Sequence, residues 1–264
     1  MSDIAPEEPR PLYAVPALEK ALDIIELLAG QAGGLSGSQI AAELDRSSGE
    51  IFRILQVLER RRVIERRQPG DRFGLTVKLL ELGLAHPPVD RLLTSAVPVM
   101  QDLAGAMRQS CHLAVRNMAH ILIVAQVPSP GSVGFNVRRG ARFPLTESVS
   151  GRLLLSFREA AERGRWLRAI AEDGEVPLPS PGLEAVLAVI RARGFDTAPS
   201  RVGPGVTDVG APVIDDSGYA VAALTVPYFA TAETRIGLEA LPGLVCEAAK
   251  AISDSLGGTR RRGD

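Results

Sequence analysis

Ser36-Gly37-Ser38-Gln39-Ile40-Ala41-Ala42-Glu43-Leu44 and Ser47-Ser48-Gly49-Glu50-Ile51-Phe52-Arg53-Ile54-Leu55-Gln56-Val57-Leu58 are two serine-led segments separated by Asp45-Arg46. Each opens on a hydroxyl followed three residues later by Gln or Glu, the pattern of a capping box. It predicts that Ser36 accepts from the amide of Gln39 and Ser47 from that of Glu50. Two helices joined by a tight turn form a helix-turn-helix. On the second helix Ile51, Ile54, Leu55 and Leu58 recur at i, i+3, i+4 and i+7, giving one apolar stripe. Ser48, Gly49 and Arg53 lie off the stripe near the helix start, where DNA-reading helices meet base edges. Glu50 has two readings, closing the Ser47 cap or accepting from a cytosine amine.

Downstream, Val63-Ile64-Glu65-Arg66-Arg67 and Arg72-Phe73-Gly74-Leu75 flank Gln68-Pro69-Gly70-Asp71. Two short β-like runs about a Pro-Gly turn predict a hairpin. A hairpin directly after a helix-turn-helix is the wing of a winged helix. From residue 46 to 72 the arginines are Arg46, Arg53, Arg60, Arg61, Arg62, Arg66, Arg67 and Arg72. The acids are Glu50, Glu59, Glu65 and Asp71. The whole chain has a formal charge of −1. Positive charge is therefore focused on this stretch, as duplex DNA requires. The candidate DNA-contacting set is Ser36, Arg46, Ser47, Ser48, Glu50, Arg53, Arg66, Arg67 and Arg72. An Arg-rich helix end also complements the helix dipole, so Arg60-Arg61-Arg62 alone would not identify a DNA binder.

Working outward, Pro16 opens a helix whose stripe is read as Leu18, Leu22, Ile25 and Ala29, packing under the two central helices. Residues 1–14 lack periodicity and read as a flexible arm. Thr76 caps a helix after the wing, and His86-Pro87-Pro88 breaks it, so the first domain is placed at 15–85. Asp90 to Met107 is an amphipathic run with Pro98 inside it, read as a linker helix within 86–108. From 109 to 257 the periodicity becomes mixed. Cys111 to Arg116, Ile121 to Val127 and Val133 to Val137 read as strands joined by hairpins, hence antiparallel. Helical runs follow at Arg152 to Phe157, at Ala160 to Ile170 and from Ser180-Pro181 to Arg193. That last helix would bury Leu183, Val186, Leu187 and Ile190 and close on Gly194. Thr207 to Ile214 and Tyr219 to Val226 flank the turn Asp215 to Gly218. A last helix carries Leu241, Leu244, Val245, Ala248 and Ile252. Residues 258–264 form a basic tail. The fold class is α+β, with an antiparallel-sheet domain behind the DNA-binding domain.

Composition sets limits. The chain has 264 residues, 45% hydrophobic and 23% charged, enough for two medium domains. Two cysteines, Cys111 and Cys246, and three histidines build neither a disulfide framework nor a metal cluster, so no metal and no cofactor is expected. The N-terminus has no signal-peptide core, and apolar stretches such as Tyr219 to Ala230 are too short to span a bilayer. The expected location is cytoplasmic, with no membrane partner.

The chain resembles the IclR family of bacterial transcriptional regulators. The likeness runs from Val15-Pro16-Ala17-Leu18-Glu19-Lys20-Ala21-Leu22-Asp23-Ile24 through Phe52-Arg53-Ile54-Leu55-Gln56-Val57-Leu58 to Leu79-Leu80-Glu81-Leu82-Gly83. It continues in His112-Leu113-Ala114-Val115, Pro144-Leu145 to Gly151, Arg191 to Phe195 and Gly210-Ala211-Pro212-Val213. The resemblance implies a winged helix-turn-helix, a GAF-like effector domain and a small, often carboxylic, effector. It also implies homodimers or dimers of dimers on a near-palindromic DNA operator. The chain departs from the family pattern at Glu50, where Ser or Thr is common, at Asp208, where a small residue or Cys is common, and at Pro227, where Ser or Gly is common.

An effector pocket is expected between the sheet and Thr146 to Gly151, closed by the strands bearing Asp208 and Thr225. The effector set is Thr146, Ser148, Ser150, Gly151, Asp208 and Thr225. First-turn amides with Ser148 and Ser150 beside them suit a carboxylate. Asp208 disfavours a small dianion and suits a ligand that also carries a hydroxyl or amine donor. The bland alternative is a Ser cap and a β-branched strand residue. An enzyme reading rests on Cys111-His112, but strand neighbours point to opposite faces. Gly203-Pro204-Gly205 leads into a strand rather than a helix, so it lacks the helix N-terminus of a phosphate loop. Asp215-Asp216 reads as a turn. No catalytic residue is expected, and a DNA-binding regulator without a ligand is the remaining alternative.

Overall fold

The computed structural model describes residues 15–258 apart from 175, 178 and 235. The expected arm at 1–14 and nearly all of the basic tail lie outside the described residues. The chain divides into two compact units between Pro87 and Pro88.

The first unit contains α1 (Pro16–Ala29), β1 (Leu35–Ser36), α2 (Gly37–Glu43), α3 (Ser48–Arg60), β2 (Ile64–Arg67), β3 (Arg72–Leu75) and α4 (Lys78–Leu84). Its core is Ile24, Leu28, Ile40, Ile51, Leu55, Leu58, Ile64 and Phe73. Each fully buried aliphatic side chain there contributes roughly 1.5–3 kcal/mol. The helix-turn-helix and hairpin are as read from the sequence, and β1 adds a third strand in the order β1-β3-β2. A two-residue strand shows no period, so β1 was invisible in the sequence.

Three expectations for this unit are corrected. The buried face of α1 is Ile24 and Leu28, with Ala21, Leu27 and Ile25 packed beside them; of the expected stripe only Ile25 packs inward, Ala29 is exposed, and Leu18 and Leu22 are about half exposed. Several apolar stripes are possible on that helix, and α3 and β3 decide which one faces inward. Ser36 forms the full capping box with Gln39, but the Ser47 hydroxyl makes no cap bond. Glu50 turns away to pair with Lys20 on α1, a tertiary contact that displaces the local one. Thr76 precedes α4 rather than occupying its N-cap position, which is Val77; its hydroxyl accepts from the Lys78 amide at 3.1 Å.

The second unit contains α5 (Pro87–Met107), β4 (Cys111–Asn117), β5 (His120–Val127), β6 (Arg142–Pro144), α6 (Val149–Ser156), α7 (Ala160–Asp173), α8 (Leu183–Arg193), β7 (Asp196–Pro199), β8 (Val206–Ile214), β9 (Ala220–Phe229) and α9 (Leu241–Ser255). The sheet order is β6-β5-β4-β9-β8-β7, and every pairing is antiparallel. Strand alternation sorts the side chains to two faces. Leu113, Val209, Ala211, Val213, Ala222, Leu224 and Val226 face α5 and α9. Ala114, Ile121, Ile123 and Ala223 face α6, α7 and α8.

Here too the structure corrects the sequence reading. The expected linker helix is a core element: Leu92, Ala96, Met100, Leu103 and Met107 of α5 are buried with the sheet. The third strand is Arg142–Pro144, not Val133 to Val137, because β5 pairs Ile121 with Phe143 while Val137 is buried as irregular chain. α8 starts at Leu183 after left-handed Gly182, so Ser180 is not its cap, and Val186 is 45% exposed. Among the described residues no helix is long and apolar enough to cross a membrane, and no group of three or more His, Cys, Asp or Glu could hold a metal ion.

Candidate functional site

The DNA-facing candidates spread over α2, α3 and the hairpin. Ser36 is occupied by its cap, its Oγ accepting from the Gln39 amide at 3.2 Å. Arg46, Ser47, Ser48 and Arg53 are exposed around the start of α3. Arg53 donates through Nε to the Gly49 carbonyl at 3.4 Å, which lays its guanidinium along the helix. The wing arginines are more committed. Arg66 bridges Glu59 and Asp71 at 3.1 and 3.3 Å and stacks on Phe73. Arg67 donates to Glu65 and to the carbonyls of Ala32 and Leu75. Arg72 donates to the Gly34 carbonyl at 3.1 Å. Arg67 and Arg72 thus tie the wing to the loop after α1. Phe52, 49% exposed beside Ser48, is a surface aromatic that the sequence reading passed over. Its one-residue offset from the buried stripe at Ile51 and Leu55 was the available signal.

In the second unit a cavity of about 90 Å³ opens between α6 and the sheet. Its walls are apolar, from Ile121, Val137, Phe143, Val149 and Pro199, and its polar groups come from four elements. Ser148 starts α6: its hydroxyl accepts from the Gly151 amide at 3.1 Å and donates to the Pro144 carbonyl at 3.0 Å. Ser150 Oγ lies 2.9 Å from Thr225 Oγ1 on β9. Asp208 enters from β8, its carboxyl pushed up by burial against the opposing pull of the Ser200 hydroxyl and Arg152. At the rim Arg152 pairs with Asp196 at 2.8 Å, and Arg201 with Glu147 at 3.3 Å.

Of the expected effector residues, Ser148, Ser150, Asp208 and Thr225 line this cavity. Thr146 lines a neighbouring recess with Arg152 and Asp196. Gly151 is in neither: a Cβ there would lie 1.9 Å from the Leu145 carbonyl oxygen, so glycine lets the two backbones touch.

His112 was missed as a cavity residue. It is 5% exposed, lines the cavity, and its Nδ1 has no partner. Burial lowers its pKa to about 4, so it is neutral at physiological pH. Its only sequence signal was a polar residue in a run that buries both faces. Cys111 belongs to the opposite core, with Sγ 3.4 Å from the Met100 carbonyl and its pKa pushed up to about 12 by burial. Thiol and imidazole are divided by the sheet and form no nucleophile-base pair.

A winged helix-turn-helix in one unit and an apolar-walled cavity in the other define a DNA-binding regulator with an effector domain. Two family models match the chain: the IclR helix-turn-helix domain over residues 17–68, and the bacterial transcriptional regulator IclR C-terminal domain over residues 89–254. The glycerol operon regulatory protein of Streptomyces coelicolor is 30% identical over 93% of this chain and 98% of its own. The regulator KdgR of Escherichia coli is 22% identical over 92% of this chain and 94% of its own. Among solved structures, IclR of Thermotoga maritima is 25% identical with a TM-score of 0.69, covering 91% of this chain and 98% of its own. An IclR homolog of Microbacterium hydrocarbonoxydans, solved with 4-hydroxybenzoate, is 23% identical with a TM-score of 0.74, covering 91% and 99%. The chain belongs to the IclR family of bacterial transcriptional regulators.

Proposed function

We propose that this regulator reads a near-palindromic operator as a symmetric dimer, through α3 and the wing, and responds to a small carboxylic acid that also carries a hydroxyl or amine donor. The observation that carries the effector reading is the α6 cavity, with buried His112 and half-buried Asp208 facing the start of a helix. The ligand carboxylate lies at the Val149 and Ser150 amides in the first turn of α6, that of Gly151 being held by Ser148 Oγ, where helix N-termini favour anions. Its donor satisfies Asp208, and its polar groups reach the unpartnered His112 Nδ1, removing the cost of a buried polar atom with no partner. The apolar walls take the carbon skeleton. Dimer formation is supported by α1 and α4, which expose Leu18, Leu22, Leu80 and Leu82, with Val15 exposed just before α1. Two copies supply the two half-sites that one recognition helix cannot. Arg46, Ser47, Ser48, Arg53, Arg66, Arg67 and Arg72 are the proposed DNA contacts, with Phe52 added to them.

The test is a thermal-shift series of hydroxylated and aminated small acids against wild type and Ser150→Leu. A ligand that binds the folded state raises the melting temperature of wild type. Ser150→Leu fills the cavity, so it should lose that shift and still bind duplex DNA. A normal shift in this variant would place the effector elsewhere.

A further inference from the structure

α3 meets DNA, in the reading above, with the end that carries Ser48, Gly49 and Arg53. Glu50 stands in that same turn. A carboxylate there faces phosphates and repels them, and if it reached a base edge it would accept from cytosine. Local structure does not restrain it. In α2 the equivalent residue, Gln39, folds back onto the Ser36 amide at 2.9 Å, whereas the Ser47 cap bond is not made.

Glu50 is restrained from α1. Lys20 Nζ, 30 residues earlier in the chain, hydrogen-bonds Glu50 Oε1. The Lys20 side chain is 19% exposed and that of Glu50 35%, so the pair is partly shielded from water. Partial burial strengthens the attraction and weakens its screening by salt. Arg46 and Arg53 also attract the carboxylate, more weakly.

We propose that Lys20 is a positioning residue for DNA reading. It draws the Glu50 carboxylate back onto α1 and cancels its charge, so that α3 approaches DNA as a positive surface and Glu50 does not read a base. Lys20 touches no DNA in this arrangement and acts only through Glu50. The inference rests on α3 as the DNA-facing helix.

The experiment uses the full chain and the duplex that wild type selects from a randomised library. Affinity is measured across a salt series for Lys20→Met, Glu50→Gln and the double variant. Lys20→Met leaves Glu50 uncancelled beside phosphates, and should bind about tenfold more weakly. Its slope of log affinity against log salt should be shallower by about 0.9, one effective contact. Lys20→Met/Glu50→Gln should return to within about twofold of wild type, because the offending charge is gone. A lysine that contacted phosphate itself, or merely fastened α1 to α3, would leave the double variant as weak as Lys20→Met, and that result overturns the proposal. Glu50→Gln alone serves if Lys20→Met fails to fold. It should bind as well as wild type or better, and a tenfold loss would show that the carboxylate makes a productive contact. Failure of the α3 reading is seen separately, as wild-type affinity in Arg53→Ala.

Discussion

Gly151→Ala is the sharpest probe of how the cavity is built. A Cβ at this position would lie 1.9 Å from the Leu145 carbonyl oxygen, 2.6 Å from its carbon and 2.8 Å from its Cα. Ordinary contact begins at 3.4 Å, so backbone must separate by about 1.5 Å. Neither side gives easily. Leu145 is fully buried and its amide donates to the Ala119 carbonyl at 2.9 Å. Gly151 donates to Ser148 Oγ, which is itself bonded to Pro144. Overpacking a core with a side chain costs about 1–3 kcal/mol, and a clash against backbone belongs at the upper end, about 3 kcal/mol. For a unit of this size that lowers the melting temperature by about 6–12 °C. Differential scanning calorimetry of the full chain reads it directly. Gly164→Ala in α7, where a Cβ meets nothing closer than 3.6 Å, is the control and should gain up to about 1 kcal/mol from helix propensity. A Gly151→Ala protein melting within about 2 °C of wild type would refute the close-approach argument. A protein that melts low yet keeps a full effector response would separate the approach from the cavity.

Other expectations follow from the same contacts. His112 has a folded pKa of about 4 against 6.5 when free. As pH falls below about 6.5 the unfolded state takes up a proton that the folded state refuses, so stability drops by about 3 kcal/mol on reaching pH 4. Between neutral pH and pH 4 the wild type should lose about 3 kcal/mol more stability than His112→Gln, read from urea midpoints at each pH, and parallel pH curves would sink the assignment. Arg53→Ala should cost roughly 1–3 kcal/mol of operator affinity if the contact is to a base, or weaken all duplexes with a smaller salt slope if it is to phosphate. Leu22→Glu puts a charge on the exposed apolar face of α1 and should convert the proposed dimer to monomer in sedimentation at micromolar protein; wild type sedimenting as a dimer with unchanged mass in the variant would move the interface elsewhere.

Local patterns in the chain already settled a good deal. The Ser36 capping box, the stripe of α3 and the Pro-Gly hairpin specify a winged helix-turn-helix, because a helix nucleus, a helical face and a tight turn are each formed within a few residues. The turn at Asp215 to Gly218 and the glycine stop of α8 were legible for the same reason: Gly218 and Gly194 take left-handed backbone that other residues resist. The serine-led start of α6 and the polar outliers Asp208 and Thr225 pointed to the cavity region.

Tertiary structure decided what depends on a partner distant in sequence. Which stripe of α1 is buried follows from α3 and β3 rather than from α1's own residues. Glu50 could close the cap of its own helix, and Lys20 on another helix holds it instead. Val137 had the look of a strand, yet β5 found its hydrogen-bond partners at Arg142–Pro144. α5 has the amphipathic pattern of a connector, yet Met100 and Met107 are buried against the sheet. His112 became a cavity residue only when β4 was laid between β5 and β9, which sent its neighbour Cys111 into the opposite core. Caps, turns and periodicity are short-range, and the chain carries them wherever it goes. The choice among equally apolar faces, and the pairing of charges 30 residues apart, exists only after long-range contacts form.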